Sequence, residues 1–115
     1  MNQQMGDQEL LRVALHNLVV NARRHSPLQG VVTIRVTHAG SKAEMVVEDQ
    51  GSGVAESERG KVFDKFFRGR NALGNPGAGM GLYLVKSIVE QHEGVVEQRN
   101  LLPQGCQFLI RLPAR

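Results

Sequence analysis

The sequence has no tryptophan, one tyrosine and one cysteine. Cys106 alone cannot form an internal disulfide, which excludes a disulfide-stapled scaffold and fits a reducing compartment. Aromatic residues make up only 4% of the chain, too few for the stacking platforms that hold single-stranded nucleic acid. No run approaches the ~18 consecutive apolar residues of a membrane helix, and Met1-Asn2-Gln3-Gln4 does not open a basic-then-apolar leader, so the piece reads as soluble. Continuous basic runs are missing too. The net charge of +3 and isoelectric point near 9.5 therefore fit a small polyanionic ligand, or simply a solvated basic surface, as well as they fit nucleic acid.

What is present is ordinary globular usage: 115 residues, 41% apolar and 22% charged. That is enough for one core and too little for two, so residues 1–115 are expected to form a single domain. Asp7 can cap a helix in which Leu11, Leu15, Leu18, Val19 and Ala22 recur at helical spacing until Ser26-Pro27 ends it. Val32, Ile34 and Val36 alternate with polar residues, as do Ala43, Met45 and Val47 beyond the Gly40-Ser41 turn, which predicts two strands. Glycine then recurs eight times from Gly51 to Gly81. This region is expected to hold a short helical stretch, Glu56 to Phe67, within a long loop of the kind used as a lid, about residues 54–80. Leu82, Val85, Ile88 and Val89 mark a second long helix from about Gly81 to His92, ended by Gly94. Two further strands, Val95 to Arg99 and Cys106 to Leu112, close the chain. The order predicts an α+β fold, a two-layer α/β sandwich with a mostly antiparallel sheet covered on one face by about three helices.

Three segments carry candidate chemistry. Asn17, Asn21, Arg24 and His25 share one stripe of the first helix beside its apolar stripe. Two amide oxygens at the border of a core can serve a hard cation while a guanidinium faces phosphate. Seen alone, two asparagines hydrogen-bonding at a helix edge is the commoner explanation. Glu48-Asp49-Gln50-Gly51-Ser52-Gly53 follows a strand directly. A carboxylate there can accept from an exocyclic amine, and the glycines let backbone approach a planar ring, although an ordinary Asp-x-Gly turn looks the same. Gly77-Ala78-Gly79-Met80-Gly81-Leu82 runs into the second helix, whose free N–H groups favour phosphate; a flexible hinge would look similar.

Together these segments resemble the catalytic domain of bacterial sensor histidine kinases. Leu15 to Pro27 is similar to the N box, Asp49 to Gly53 to the first glycine box, Phe63-Asp64-Lys65-Phe66-Phe67-Arg68 to the phenylalanine box, and Gly77 to Leu82 to the second glycine box. Gly105-Cys106-Gln107-Phe108 with Leu112-Pro113 resembles the last box. The resemblance runs from about Asp7 to Pro113 and implies the Bergerat ATP-binding fold, a mixed sheet under helices with a mobile ATP lid, shared with type II topoisomerases, Hsp90 chaperones and MutL repair proteins.

By that resemblance ATP and Mg²⁺ are the ligands. Asn21 would be the principal metal ligand, with Asn17 beside it at the phosphates and a second candidate ligand. Arg24 stands where a phosphate-contacting Lys is usual, and His25 where a ring lies near the nucleotide. Asp49 would bind the adenine amino group, and Gly51 and Gly53 would make room for the base. Arg68 would neutralise the γ-phosphate during transfer, making Arg68 and Asn17 the catalytic pair. Gly77, Gly79 and Gly81 would form lid hinge and phosphate cradle, with Phe66, Met80 and Leu82 completing the site.

The ATPases of this fold carry a water-activating Glu four residues before the metal-binding Asn, and Asn17 occupies that place. Asparagine cannot serve as a general base, which favours phosphoryl transfer to a protein nucleophile over hydrolysis. No segment resembles the dimerisation helices with a phosphoaccepting His, so the acceptor is expected on a separate domain of the same receptor. A response regulator is expected downstream, and no nucleic acid. Residues 1–6 read as a shortened strand. The expected setting is a cytoplasmic domain of a homodimeric receptor anchored in the inner membrane. An anti-sigma-factor-type serine kinase and a catalytically inactive nucleotide-binding regulatory module stand as alternatives.

Overall fold

The computed structural model describes residues 3–64 and 78–113. In chain order they form α1 (Gln3–His25), β1 (Thr33–Ala39), β2 (Lys42–Asp49), a 3-10 turn (Glu56–Glu58), α2 (Ala78–Gln91), β3 (Val95–Asn100) and β4 (Cys106–Pro113). The strands pair in the order β1-β2-β4-β3. With both helices on one face of this sheet, the fold is the expected α+β two-layer sandwich.

Burial follows the two periods read in the sequence. Ala14, Leu18 and Ala22 of α1 and Val85, Ile88 and Val89 of α2 meet Val47, Phe108 and Ile110 of the sheet in one core. The sheet residues belong to a single face because Val47 pairs with Phe108 and Met45 with Ile110 across β2 and β4. Leu18 and Ile110 are fully buried, so truncating either to alanine should cost about 2–5 kcal/mol. On the opposite face Arg35 makes a two-pronged bond to Glu48 (3.2 and 2.8 Å), and Gln107 donates to the same carboxylate at 2.7 Å. The Arg35 hydrogen bonds, then that of Gln107, hold the Glu48 carboxyl below its ordinary value.

Four details differ from expectation. Among the described residues there are two α-helices, not about three. The stretch from Glu56 closes successive i→i+3 turns instead, with Glu58 N–H on Ala55 O at 2.8 Å and Lys61 N–H on Glu58 O at 2.9 Å. Gly60 at its centre disfavours propagation by about 1 kcal/mol. All described strand pairs are antiparallel rather than mixed. α1 starts at Gln3, where a shortened strand was expected, so the backbone of Asp7 is already helical and cannot supply the extended geometry of an N-cap. Neither proline nor a β-branched residue opposes a helix there.

α2 likewise begins at Ala78 rather than near Gly81, which brings Gly79 and Met80 into its first turn. Its end is a left-handed closure. Glu93 adopts φ 62°, and Gly94 N–H reaches back to Val89 O at 2.9 Å. Gly94 itself serves close approach: a Cβ there would lie 2.5 Å from Arg111 O of β4.

Candidate functional site

β2 is an inner strand, and it ends at Asp49 beneath the last turn of α1. Asp49 pairs across the sheet with Cys106, and Cys106 with Asn100, so the ends of three strands form one row on the helix-bearing face. Asp49 is only 4% exposed. Its Oδ1 accepts the Gly51 N–H at 2.8 Å; among the described residues that is its one hydrogen bond. Burial pushes the carboxyl above its ordinary value, against the opposing pull of that N–H and of the nearby His25. A desolvated carboxylate with one oxygen fixed has the other available to an incoming donor.

Glycine is required where the chain leaves Asp49. A Cβ at Gly51 would run into the His25 carbonyl oxygen, so α1 and the loop touch backbone to backbone. Gly53 adopts φ 81°, and a Cβ there would stand 2.7 Å from Asn100 Oδ1. Gln50 braces the same end of the sheet: its Oε1 accepts Val31 N–H at 3.0 Å and its carbonyl accepts Gln104 Nε2–H at 2.8 Å.

At the other end of the stripe, Asn17 Nδ2 donates to Val13 O at 2.9 Å, which sets the orientation of the amide. Its Oδ1 then faces α2, 3.3 Å from where a Gly81 Cβ would be. Asn21, one turn on, is half-buried and makes no side-chain hydrogen bond among the described residues. His25 is half-buried beside Gly51, and Arg24 is exposed. Thus Asn17 and Gly81 meet, as do His25, Gly51 and Asp49. Leu82 packs against the core from α2. Gly79 and Met80 lie in α2 by their backbone. Phe66, Arg68 and Gly77 lie outside the described residues.

The donor set suits a magnesium ion carried in on phosphate. Asn21 has an amide oxygen free of protein partners among the described residues, and Asn17 presents its own toward α2. Among the described residues no group of three or more His, Cys, Asp or Glu could hold a metal unaided. Magnesium bound through one or two protein oxygens, water and phosphate needs no such cage.

The polar residues on β3 were not anticipated. Gln98 is 9% exposed, and its Nε2 contacts Asn100 Oδ1 at 2.8 Å and Cys106 Sγ at 3.2 Å. Arg59 reaches Gln98 Oε1 at 3.3 Å and its carbonyl at 3.4 Å. A signal existed. Strand alternation puts Gln98 and the more exposed Asn100 on the inward face with Val96, and a buried polar residue such as Gln98 requires a partner.

A strand-end carboxylate, a glycine loop under a helix end and an amide facing the start of a second helix define a nucleotide-binding α+β sandwich. A family model described as histidine kinase-, DNA gyrase B-, and HSP90-like ATPase matches residues 6–115. The signal transduction histidine-protein kinase/phosphatase MprB of Mycobacterium sp. (strain KMS) is 40% identical over 115 residues, covering 96% of this chain and 22% of that protein. A solved mycobacterial sensor histidine kinase MprB superposes with TM-score 0.80 at 37% identity, over 90% of this chain and 71% of that one. Full-length ShkA in complex with AMPPNP superposes with TM-score 0.77 at 30% identity, over 90% of this chain and 21% of that one. The chain belongs to the histidine kinase-, DNA gyrase B- and HSP90-like ATPase family, and it matches the ATP-binding catalytic domains of sensor histidine kinases. It spans about a fifth to a quarter of the length of the curated relatives it matches. No helix among the described residues is long and apolar enough to cross a membrane.

Proposed function

We propose that this domain binds Mg-ATP and passes the γ-phosphate to a histidine on a separate dimerisation domain of the same receptor, from which a response regulator is served. The carrying observation is the placement of two contacts along α1. Near its C-terminal end His25 and Gly51 adjoin the buried Asp49, and eight residues earlier Asn17 faces Gly81 in α2. Eight residues are about 12 Å of helix, the scale of an extended nucleotide. An adenine amine on Asp49 would place the phosphates beside Asn21 and Asn17, at the N-terminal part of α2 whose N–H groups and dipole favour anions.

In this scheme Asn21 holds the metal, with Asn17 adjacent. Bound Mg²⁺ supplies charge neutralisation on the phosphate oxygens. The acceptor imidazole attacks the γ-phosphorus, the bond to the bridging oxygen breaks and ADP leaves, with Arg68 assigned to the charge that develops during transfer. Asn17 cannot take a proton, so the site offers no base at the position where the fold's ATPases activate water. The relatives named as histidine kinases and the AMPPNP bound to ShkA support this scheme. The parent is read as a homodimer anchored in the inner membrane, with this domain on the cytoplasmic side.

The test mixes the chain with labelled ATP and the dimerisation domain of its parent. Acid-labile, base-stable phosphohistidine on the dimerisation domain is expected. ATP binding with no transfer would leave an inert nucleotide module and sink the kinase assignment.

A further inference from the structure

We propose that Asn100, at the end of β3, is a positioning residue for the nucleotide base, acting through the backbone of the loop after Asp49; this rests on the assignment of Asp49 as the adenine acceptor. The Asn100 amide forms a closed pair with one residue of that loop: Val54 N–H donates to Oδ1 at 2.9 Å, and Nδ2 donates to Val54 O at 2.9 Å. A side chain thereby does what a neighbouring strand would do, satisfying both backbone groups of a residue that has left the sheet. Gly53, at φ 81°, lies directly against the same Oδ1.

The amide is itself held from behind. Gln98 Nε2 donates to Asn100 Oδ1 at 2.8 Å, and Gln98 takes Arg59 on its Oε1 and carbonyl. Arg59 immediately follows the 3-10 turn. A few residues on, Phe63 packs edge-on to Phe108, ring centres 5.9 Å apart at 81°. One pair of β3 side chains therefore fastens the base loop at Gly53 and Val54 and the start of the following segment at Arg59.

The loop is held toward its start by Gln50 and Gly51 and toward its end by Val54. Gly51 is tied to Asp49 Oδ1 and lies against the His25 carbonyl, and Val54 is tied to Asn100. Removing the second tie frees Ser52, Gly53 and the Val54 backbone to move into or away from the space where Gly51 and Gly53 would admit the ring, while the buried core, against which only the Val54 side chain of these three packs, keeps its own contacts. The phosphate end, about 12 Å away along α1, keeps its groups. Asn100 therefore governs base recognition and leaves triphosphate binding alone.

The experiment compares Asn100→Ala, Asn100→Asp and Asp49→Asn with the wild-type chain, titrating Mg-ATP, Mg-GTP and inorganic tripolyphosphate and following thermal unfolding of each apo protein. Asn100→Ala is expected to lose about tenfold in ATP affinity, the scale of two backbone hydrogen bonds. It should lose ATP-over-GTP preference by a similar factor, keep tripolyphosphate affinity, and unfold cooperatively. Asn100→Asp, which keeps the acceptor and loses the donor, should fall between Asn100→Ala and wild type; it carries the test if the alanine variant does not fold. An equal loss for ATP and tripolyphosphate would mark a general structural role and overturn the proposal. A wild type that prefers ATP, loses the preference in Asp49→Asn and keeps it in both Asn100 variants overturns this proposal alone. A wild type without ATP preference overturns it together with the nucleotide assignment.

Discussion

Asn17 and Gly81 face each other across the seam between the two helices, with the amide oxygen of one 3.3 Å from the place where a β-carbon on the other would sit. Alanine at 81 would gain about 1 kcal/mol of helix preference. It would also press on an amide already committed to Val13 O at 2.9 Å. The two effects oppose, so Gly81→Ala should change apo stability by less than about 1 kcal/mol. Its ATP affinity should nevertheless fall about tenfold, because Oδ1 would turn from the side assigned to the phosphates. Denaturant unfolding and an ATP titration on the same preparation check both halves. Unchanged affinity would mean that Asn17 does not face the ligand.

Asn21 and Arg68 are assigned to different stages of the reaction, so their alanine variants should separate. Asn21→Ala should abolish Mg-dependent ATP binding with the fold intact, since its half-buried amide makes no side-chain hydrogen bond among the described residues. Arg68→Ala should retain ATP binding and lose transfer by a factor of roughly 10² or more, because its proposed role is on charge present only in the transition state. Single-turnover transfer beside equilibrium binding distinguishes them. An Arg68→Ala chain with weakened binding and an undiminished transfer rate contradicts its role.

The parts of this site legible in the sequence are those set by short-range periodicity. A helix repeats every 3.6 residues, so Asn17, Asn21 and His25 necessarily flank the stripe that buries Ala14, Leu18 and Ala22. A strand repeats every two, so Asp49 follows Val47 onto the helix-bearing face. Alternation likewise puts Asn100 on that face, but what it binds was not legible in this way. Its partner Val54 is 46 residues distant in sequence, and only the fold brings β3 beside the loop. The turns after Glu56 differ for a related reason: no proline from Glu56 to Asp64 forbids a helix, while the hydrogen bonds close one residue short of it.

Cys106 gives the site an alkaline limit. Cys106 is 5% exposed, and burial pushes its thiol up to about 11 from 9.0, partly opposed by the Gln98 amide. A folded value above the unfolded one means that nothing is lost while both states keep the proton. Between 9.0 and about 11 the unfolded thiol ionises first, so stability falls with rising pH, by up to roughly 3 kcal/mol over the window. Cys106→Ser keeps an acceptor for Gln98 and does not ionise there. Denaturant midpoints at about pH 8 and about pH 10.5 should therefore drop less in the serine variant than in wild type. Parallel losses in the two proteins would show that the thiol does not control the alkaline limb.

Asp49 shows the reverse relation between stability and function. Burial is the largest influence on its carboxyl and raises it despite Gly51 N–H and His25. Stability associated with the protonated acid is lost as pH rises through the folded value, so at neutral pH the ionised carboxylate is a net burden on the fold. The Asp49→Asn side chain can still accept the Gly51 N–H through its amide oxygen, and it carries no charge to desolvate. The apo variant should be at least as stable as wild type at pH 7, with the difference vanishing in acid where Asp49 is protonated. Its remaining amide group would turn a donor toward the adenine amine, also a donor, and ATP affinity should fall roughly ten- to a hundredfold. Thermal unfolding across pH and an ATP titration measure the two effects separately. A variant that lost stability at pH 7 would show the carboxylate to be structural, and one that bound ATP normally would remove it from base recognition. A gain in stability with a loss of binding is what distinguishes a residue kept for its ligand from one kept for its fold.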